Sequence, residues 1–203
     1  MRSTLIRSLL VTATLLAMPA AAQDVTRDAA AVKAGTYAVE PSHTKVLYAI
    51  NHLGYSTYYG AFPKAQGSLT LDPANLDKSS LEITIDVAAI DSSDDALDKH
   101  LRGPDFFDTA KFPTATFKST KIERTGANTA RITGDLTLKG VTKPVTLDAT
   151  FNQAGVNFIS KTYSVGFDAV GTLKRSDFGI KAYVPAVGDE VTLRIGSEFQ
   201  LKP

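Results

Sequence analysis

Leu81-Glu82-Ile83-Thr84-Ile85-Asp86-Val87-Ala88-Ala89 decides the architecture of this 203-residue chain. Leu81, Ile83, Ile85, Val87 and Ala89 alternate with Glu82, Thr84, Asp86 and Ala88, a period of two that gives an extended strand one apolar and one polar face. Upstream, Thr44, Val46, Tyr48 and Ile50 alternate in the same way with Lys45, Leu47, Ala49 and Asn51. Downstream, Ile132, Leu136 and Leu138 share a face around Gly134, and Val145, Leu147, Ala149 and Phe151 follow a turn over 140–144. Tyr163, Val165, Phe167 and Ala169 form another row, and Val191, Leu193, Ile195, Ser197 and Phe199 close the chain. Turn formers separate the rows: Asp72-Pro73, Gly126-Ala127-Asn128, Gly155 and Gly188-Asp189. The spacing predicts about eight to ten strands joined as hairpins, an all-β antiparallel fold.

One segment departs from the period of two. Ser92-Ser93-Asp94-Asp95-Ala96-Leu97-Asp98-Lys99-His100-Leu101-Arg102 opens with an N-cap candidate and acids in its first turn, and Leu97 and Leu101 stand four apart. A short helix is expected, ending near Gly103-Pro104. So many half-apolar strands bury their faces either in a two-sheet sandwich or in a closed barrel. Closure removes exposed edges, and about eight strands enclose side chains or one ligand. Periodicity does not choose between the two.

The ends and the composition bound the function. Arg2 and Arg7, the apolar run Leu9 to Met18, and Ala20-Ala21-Ala22 have the layout of a secretory signal peptide, too short for a permanent span. Residues 1–22 are therefore expected to be removed, with 23–34 an Ala-rich leader, loosely ordered or a short helix, and 35–203 one domain. Without Arg2 and Arg7 the balance is 20 basic to 21 acidic residues, and no Lys/Arg cluster supports a nucleic-acid surface. The absence of cysteine removes disulfides, thiolate ligands and thiol nucleophiles together, and excludes a lipidated cysteine.

Several blocks then occur in a recognisable order. Gly35-Thr36-Tyr37-Ala38-Val39-Glu40-Pro41-Ser42-His43, Asn51-His52-Leu53-Gly54 and Tyr59-Gly60-Ala61-Phe62 come first. Asp98-Lys99-His100-Leu101-Arg102, Asp105-Phe106-Phe107-Asp108, Lys111-Phe112-Pro113 and Thr116-Phe117-Lys118-Ser119-Thr120 follow. Thr133 to Lys143, Arg175-Ser176-Asp177-Phe178-Gly179 and Val187-Gly188-Asp189-Glu190-Val191 complete the set. Together they resemble the YceI-like family from about Gly35 to Phe199. Glu40 stands where members often carry aspartate, and no arginine opens the helix. The resemblance implies a lipocalin-like antiparallel barrel with one short helix across it, a periplasmic location, and binding of a polyisoprenoid, quinone-type or other long-chain amphiphile. It also implies a possible homodimer.

The residues themselves show no catalytic constellation. His43 and His52, nine apart, are separated by roughly 30 Å in extended geometry and cannot share a metal without a sharp bend. Each reads as a capping or mouth residue, and His100 as a packing histidine. Ser42-His43 lacks a nucleophile elbow, and Asp94, Asp95 and Asp98 lack calcium-loop spacing, reading instead as a solvated, dipole-compensating face. No metal and no cofactor are expected, other than a bound lipid such as a polyprenyl or quinone species.

For a binding barrel the expected wall comprises Val46, Tyr48, Ile50, Ile83, Ile85 and Val87, with Phe117, Val165, Phe167 and Leu193 from later strands. Phe62, Phe106 and Phe107 are expected at an entrance, and His43, Asn51, His52, Lys174 and Arg175 as polar contacts, with Arg175-Ser176-Asp177 equally readable as an internal ion pair. Core and pocket lining look alike in sequence. Three functions stay open: a carrier or store for a long apolar molecule, an enzyme acting on such a lipid through a polar cluster at His43 or His100, and a ligand-free envelope protein working through its outer surface.

Overall fold

A computed structural model describes residues 25–203; the export signal read from residues 1–22 lies outside the described residues. The strands are β1 (Val25–Thr26), β2 (Gly35–Val39), β3 (Lys45–His52), β4 (Ser56–Phe62), β5 (Ala65–Leu71), β6 (Ser80–Asp86), β7 (Thr114–Arg124), β8 (Thr129–Leu138), β9 (Val141–Val156), β10 (Tyr163–Lys174) and β11 (Val187–Leu201). One helix, α1 (Asp95–Leu101), interrupts them.

All strand pairs are antiparallel, and they close. β11 pairs with β10, β10 with β9, and the path runs on through β8, β7, β6 and β5 to β2, which returns to β11. β11 is long enough to pair with β2 through Phe199–Leu201 and with β3 through Val187–Gly196. β2 and β3 thus share one lane of the wall, and β4 and β5 share the next. The result is a closed eight-stranded barrel, with β1 added on β9. Closure answers the choice that alternation left open, and it pairs the eight lanes into a ring without disulfides.

Local chemistry explains the ends of the elements. Lys139 and Gly140 both have positive φ (51° and 74°), the two-residue turn whose twist matches a hairpin. The turn is therefore shorter than expected, and Pro144 lies inside β9 opposite Asp135. The expected alternation through Val87 and Ala89 stops early: β6 ends at Asp86, and Val87–Ala89 form a 3-10 turn. The Val87 and Ala88 amides both turn onto the Pro113 carbonyl, which takes Val87 into the interior, 1% exposed. The helix is capped by Asp94, whose carboxylate accepts from the Ala96 and Leu97 amides. Ser92 has another use: its amide and hydroxyl donate to Asp98 at 2.7 and 2.6 Å. Asp98 is buried, so the acids of α1 are not all a solvated face.

From Val25 onward the leader is ordered into the fold. β1 pairs with Gly155 and Ala154, residues 29–31 make a 3-10 turn, and Val32 is buried against Tyr37, Phe151, Val165 and Phe199. Asn128 fixes its position by accepting from the Ala29 amide and donating to the Arg27 carbonyl. The leader therefore covers part of one end of the barrel. The other end carries α1 and the segment Arg175–Val187, with Phe178 packed on Phe117, Val145 and Leu147.

Candidate ligand-binding cavity

Inward side chains do not fill the barrel. A cavity of about 210 Å³ remains, lined almost entirely by aliphatic and aromatic groups from every lane of the wall. On β9 the lining row runs from Val145 through Leu147 and Ala149 to Phe151, roughly 20 Å of strand at about 3.3 Å per residue. The space has an identifiable origin. Ala149 lies directly opposite Ala130 on β8 and Ala169 on β10, and all three face inward. Three methyl groups side by side leave a hollow that Leu or Ile at the same positions would close.

Gly134 serves the same wall. A Cβ there would meet the Phe117 ring at 2.5 Å, so glycine lets this ring lie flat across β8 at the edge of the cavity. Among polar lining residues, the Thr44 hydroxyl bonds both to the Glu198 amide and to its carbonyl, and the Ser197 hydroxyl donates to the Phe167 carbonyl. No buried side-chain nitrogen or oxygen among the described residues lacks a partner. The interior is thus apolar and electrostatically quiet.

Polar groups gather at one end, where the β5–β6 and β7–β8 connections meet the leader. Ser79, Arg124, Asn128 and Thr129 line the cavity there beside Pro73, Leu76, Ala29 and Val32. Arg124 reaches across the opening, donating from Nη2 to the Pro73 carbonyl at 2.9 Å and from Nη1 to the Ala127 carbonyl at 3.2 Å. Both acceptors are loop carbonyls, and the exposed guanidinium stays at the rim of the cavity. At the leader, burial and the neighbouring Tyr163 push the Tyr37 hydroxyl up to about 12, and it donates to the Lys33 carbonyl.

The structure brings six of the expected wall residues to the cavity: Val46, Ile83, Ile85, Phe117, Phe167 and Leu193. The others lie elsewhere. Val165 belongs to the packed cluster under the leader, and Val87 to the 3-10 turn after β6. Tyr48 and Phe62 stack with Phe107 near the α1 end (5.7 and 5.6 Å between successive rings), and Ile50 lies one pleat further along β3. Burial raises the Tyr48 hydroxyl well above its usual range, with Tyr58, Asp98 and Asp91 adding to the effect. Phe106 packs with His100 of α1 and with Tyr183 of the β10–β11 connection, while His100 itself stays exposed.

None of the five expected polar contacts lines the cavity. Asn51 accepts from the Gly54 amide in the β3–β4 turn, and His52, at the end of β3, lies against Tyr58. Lys174 is exposed at the end of β10. Arg175 is buried by three backbone carbonyls: Nε donates to Gly188 (2.8 Å), Nη1 to Ile180 (3.1 Å) and Nη2 to Val187 (3.0 Å). Its burial lowers the guanidinium pKa, against the pull of Asp189. Asp189 itself binds the Ser176 hydroxyl and amide. The internal role of Arg175 is therefore a loop clamp on carbonyls, with Asp189 rather than Asp177 as the neighbouring acid.

His43 lies on the outer wall where β2 passes into β3. Its Nδ1 is 2.7 Å from Glu40 and 3.7 Å from Glu198. Glu40, His43 and Glu198 form the metal-compatible cluster found among the described residues. Glu40 is already engaged as a turn cap, accepting from Ser42 through both amide and hydroxyl and from the His43 amide. Burial raises its pKa, but these bonds from Ser42 and His43 outweigh that and hold it below the usual range.

Sequence reading missed the mouth. Arg124 lies two residues before the Gly126-Ala127-Asn128 turn signal and Asn128 ends it, and the signal to find them is that a β7–β8 turn places its residues and flanks at a barrel rim. The alanine row was invisible because it depends on register between strands.

Comparison with known proteins agrees with this architecture. A family model for the YceI-like domain matches residues 37–199. A UPF0312 protein of Ectopseudomonas mendocina is 40% identical over 167 residues, covering 81% of this chain and 87% of its own. Protein YceI of Escherichia coli is 42% identical over 159 residues, 78% of this chain and 82% of its own. The crystal structure of Burkholderia cenocepacia BcnA superposes with a TM-score of 0.71 at 32% identity, covering 79% of this chain and 98% of that one. A polyisoprenoid-binding domain from Saccharophagus degradans shares the fold at 11% identity, with a TM-score of 0.64 over 84% of this chain and all of its own.

Proposed function

Since this chain belongs to the YceI-like family, we propose that it is a non-enzymatic carrier or store for one long-chain amphiphile, an isoprenoid or quinone-type molecule, working in the bacterial periplasm after export. The observation that carries the reading is the long apolar cavity inside the barrel, open at an end where polar groups are gathered. A hydrocarbon chain taken into it gains about 0.8 kcal/mol per buried methylene, before ordering costs. Several such groups hold a ligand without strong head-group contact, and the head group rests at Arg124, Ser79 and Thr129.

The polyisoprenoid-binding domain of Saccharophagus degradans has the same fold, in keeping with such a ligand. A passive role is favoured over lipid chemistry because the polar atoms lining the interior are already committed to the barrel's own backbone. Export rests on the signal-peptide layout of residues 1–22. Native mass spectrometry of protein taken from its own periplasm, followed by organic extraction, tests the reading. A stoichiometric long-chain lipid, lost on denaturation, is expected. An apo mass unchanged by added quinones, polyprenyl phosphates and fatty amides would overturn it.

A further inference from the structure

A carrier that exchanges a long chain with a bilayer needs a way to meet that bilayer, and the mouth end of the barrel has the features of one. The β9–β10 turn lies at this end and carries Phe158 and Ile159 at its tip, 64% and 76% exposed. The turn is built to keep them outward: Asn157 Oδ1 accepts from the Ile159 and Ser160 amides, and the Asn157 backbone bonds to Lys161 and Thr162. Val156 and Val25 extend the apolar surface down the same edge. Around the mouth stand Arg27, Lys33, Lys78, Arg124 and Lys161, against Asp28, Asp72 and Asp77. Two of those acids are partly spent as turn caps, Asp28 on Ala30 and Asp72 on Ala74 and Asn75.

The α1 end also exposes apolar side chains, Leu53, Tyr55, Tyr59 and Tyr183. There, however, the exposed Asp91, Asp94, Asp95 and Asp105 stand among the exposed Lys99, Lys111 and Lys181, with no surplus of bases. The end where the cavity opens is thus the one that joins an apolar tip to a surplus of bases.

Resting on the carrier reading, we propose that the protein docks mouth-first on an anionic lipid bilayer, with Phe158 and Ile159 inserted among the head groups and the surrounding cations against lipid phosphates. Apolar insertion supported by basic neighbours is the general physics of reversible interfacial binding. Docking this way lets a chain pass between bilayer and cavity with little exposure to water.

The chain contains no tryptophan, so Phe158→Trp supplies a single reporter at the tip. Vesicles of phosphatidylcholine with phosphatidylglycerol are expected to shift its emission to the blue in a saturable way. Brominated lipids should quench it, salt should weaken the response, and phosphatidylcholine alone should give little. Replacing both tip residues, Phe158→Ser with Ile159→Ser, should weaken vesicle sedimentation about 100-fold while the purified protein keeps its normal content of bound lipid. Emission unchanged at every lipid concentration, in a variant melting like the parent, would overturn the proposal. So would a blue shift that needs no vesicles and accompanies a doubled mass in sedimentation, which would give the tip to a second copy of the chain. The two readings fail separately: vesicle binding by a protein that never holds a lipid would sink the carrier and keep the docking, and a lipid-loaded protein indifferent to vesicles would sink the docking alone.

Discussion

Ala149→Phe is the substitution that most directly tests whether the hollow is a binding site. Ala149 sits at the centre of the row Ala130–Ala149–Ala169 and faces the cavity. A phenyl ring projecting from it enters a space of about 210 Å³ and meets no filled core. The ring displaces about four methylene equivalents of ligand, about 3 kcal/mol at about 0.8 kcal/mol each, or roughly a 150-fold loss of affinity. Stability should move the other way, because burying a phenyl contributes about 1.5–3 kcal/mol and a domain of this size gains about 2–4 °C in Tm per kcal/mol. Thr150→Phe, on the outward face one residue along β9, is the control and should leave binding as it was. Displacement of cis-parinaric acid, followed by its fluorescence, reads affinity, and calorimetry reads Tm. Affinity within about 3-fold of the parent in an Ala149→Phe protein of equal or higher Tm would refute a ligand inside the barrel.

Three further expectations concern the frame. Arg175→Met removes the donors from three carbonyls of the β10–β11 connection and should cost about 3–5 kcal/mol, seen as a lower urea midpoint, with Arg175→Lys recovering little because an ammonium cannot reproduce the fork. Tyr37→Phe leaves the Lys33 carbonyl without its hydroxyl partner and should cost about 1–2 kcal/mol. Since folding raises the Tyr37 pKa from 10 to about 12, its contribution is complete below pH 10 and is lost as pH rises through 12; Tyr37→Phe should flatten that alkaline limb of a stability–pH curve. Asp189 is held below the ordinary carboxylate range, first by the Ser176 hydroxyl, against the opposing effect of burial, and then by the Ser176 amide, Arg175 and Lys174. A lowered carboxylate pKa stabilises above its unfolded value and loses that effect as pH falls through the folded one. Ser176→Ala should therefore shrink the acid-dependent part of stability below about pH 4, measured by urea titration at stepped pH.

Six of the ten expected wall residues line the cavity and none of the expected polar contacts does, and the difference has a cause. Alternation marks which side of a strand is apolar, so Val46, Ile83, Ile85, Phe117, Phe167 and Leu193 were legible from period alone. It does not say how far along the barrel axis a residue lies. Tyr48, Ile50 and Phe62 share the apolar pattern of the wall yet sit toward the helix, and Val165 sits beneath the leader. His43, Asn51, His52, Lys174 and Arg175 are polar residues near strand ends, but a barrel has two ends and a sequence does not label which is open.

What the sequence determined by itself was the class of object: strands of period two, hairpin turns beginning near Gly140 and at Gly126-Ala127-Asn128, one short helix, no cysteine chemistry, and block order matching one family. Those are local properties, carried by side-chain periodicity and turn dihedrals. Block order implied a barrel where periodicity left closure open, and the tertiary structure decided which strands share its eight lanes, that the leader folds back onto one end, and that three alanines from different strands fall side by side to leave a hollow. Each of these depends on register between residues tens of positions apart, as with Ala149 against Ala130 and Ala169, and strand pairing is set by the global packing of all eight lanes at once, which no single segment encodes.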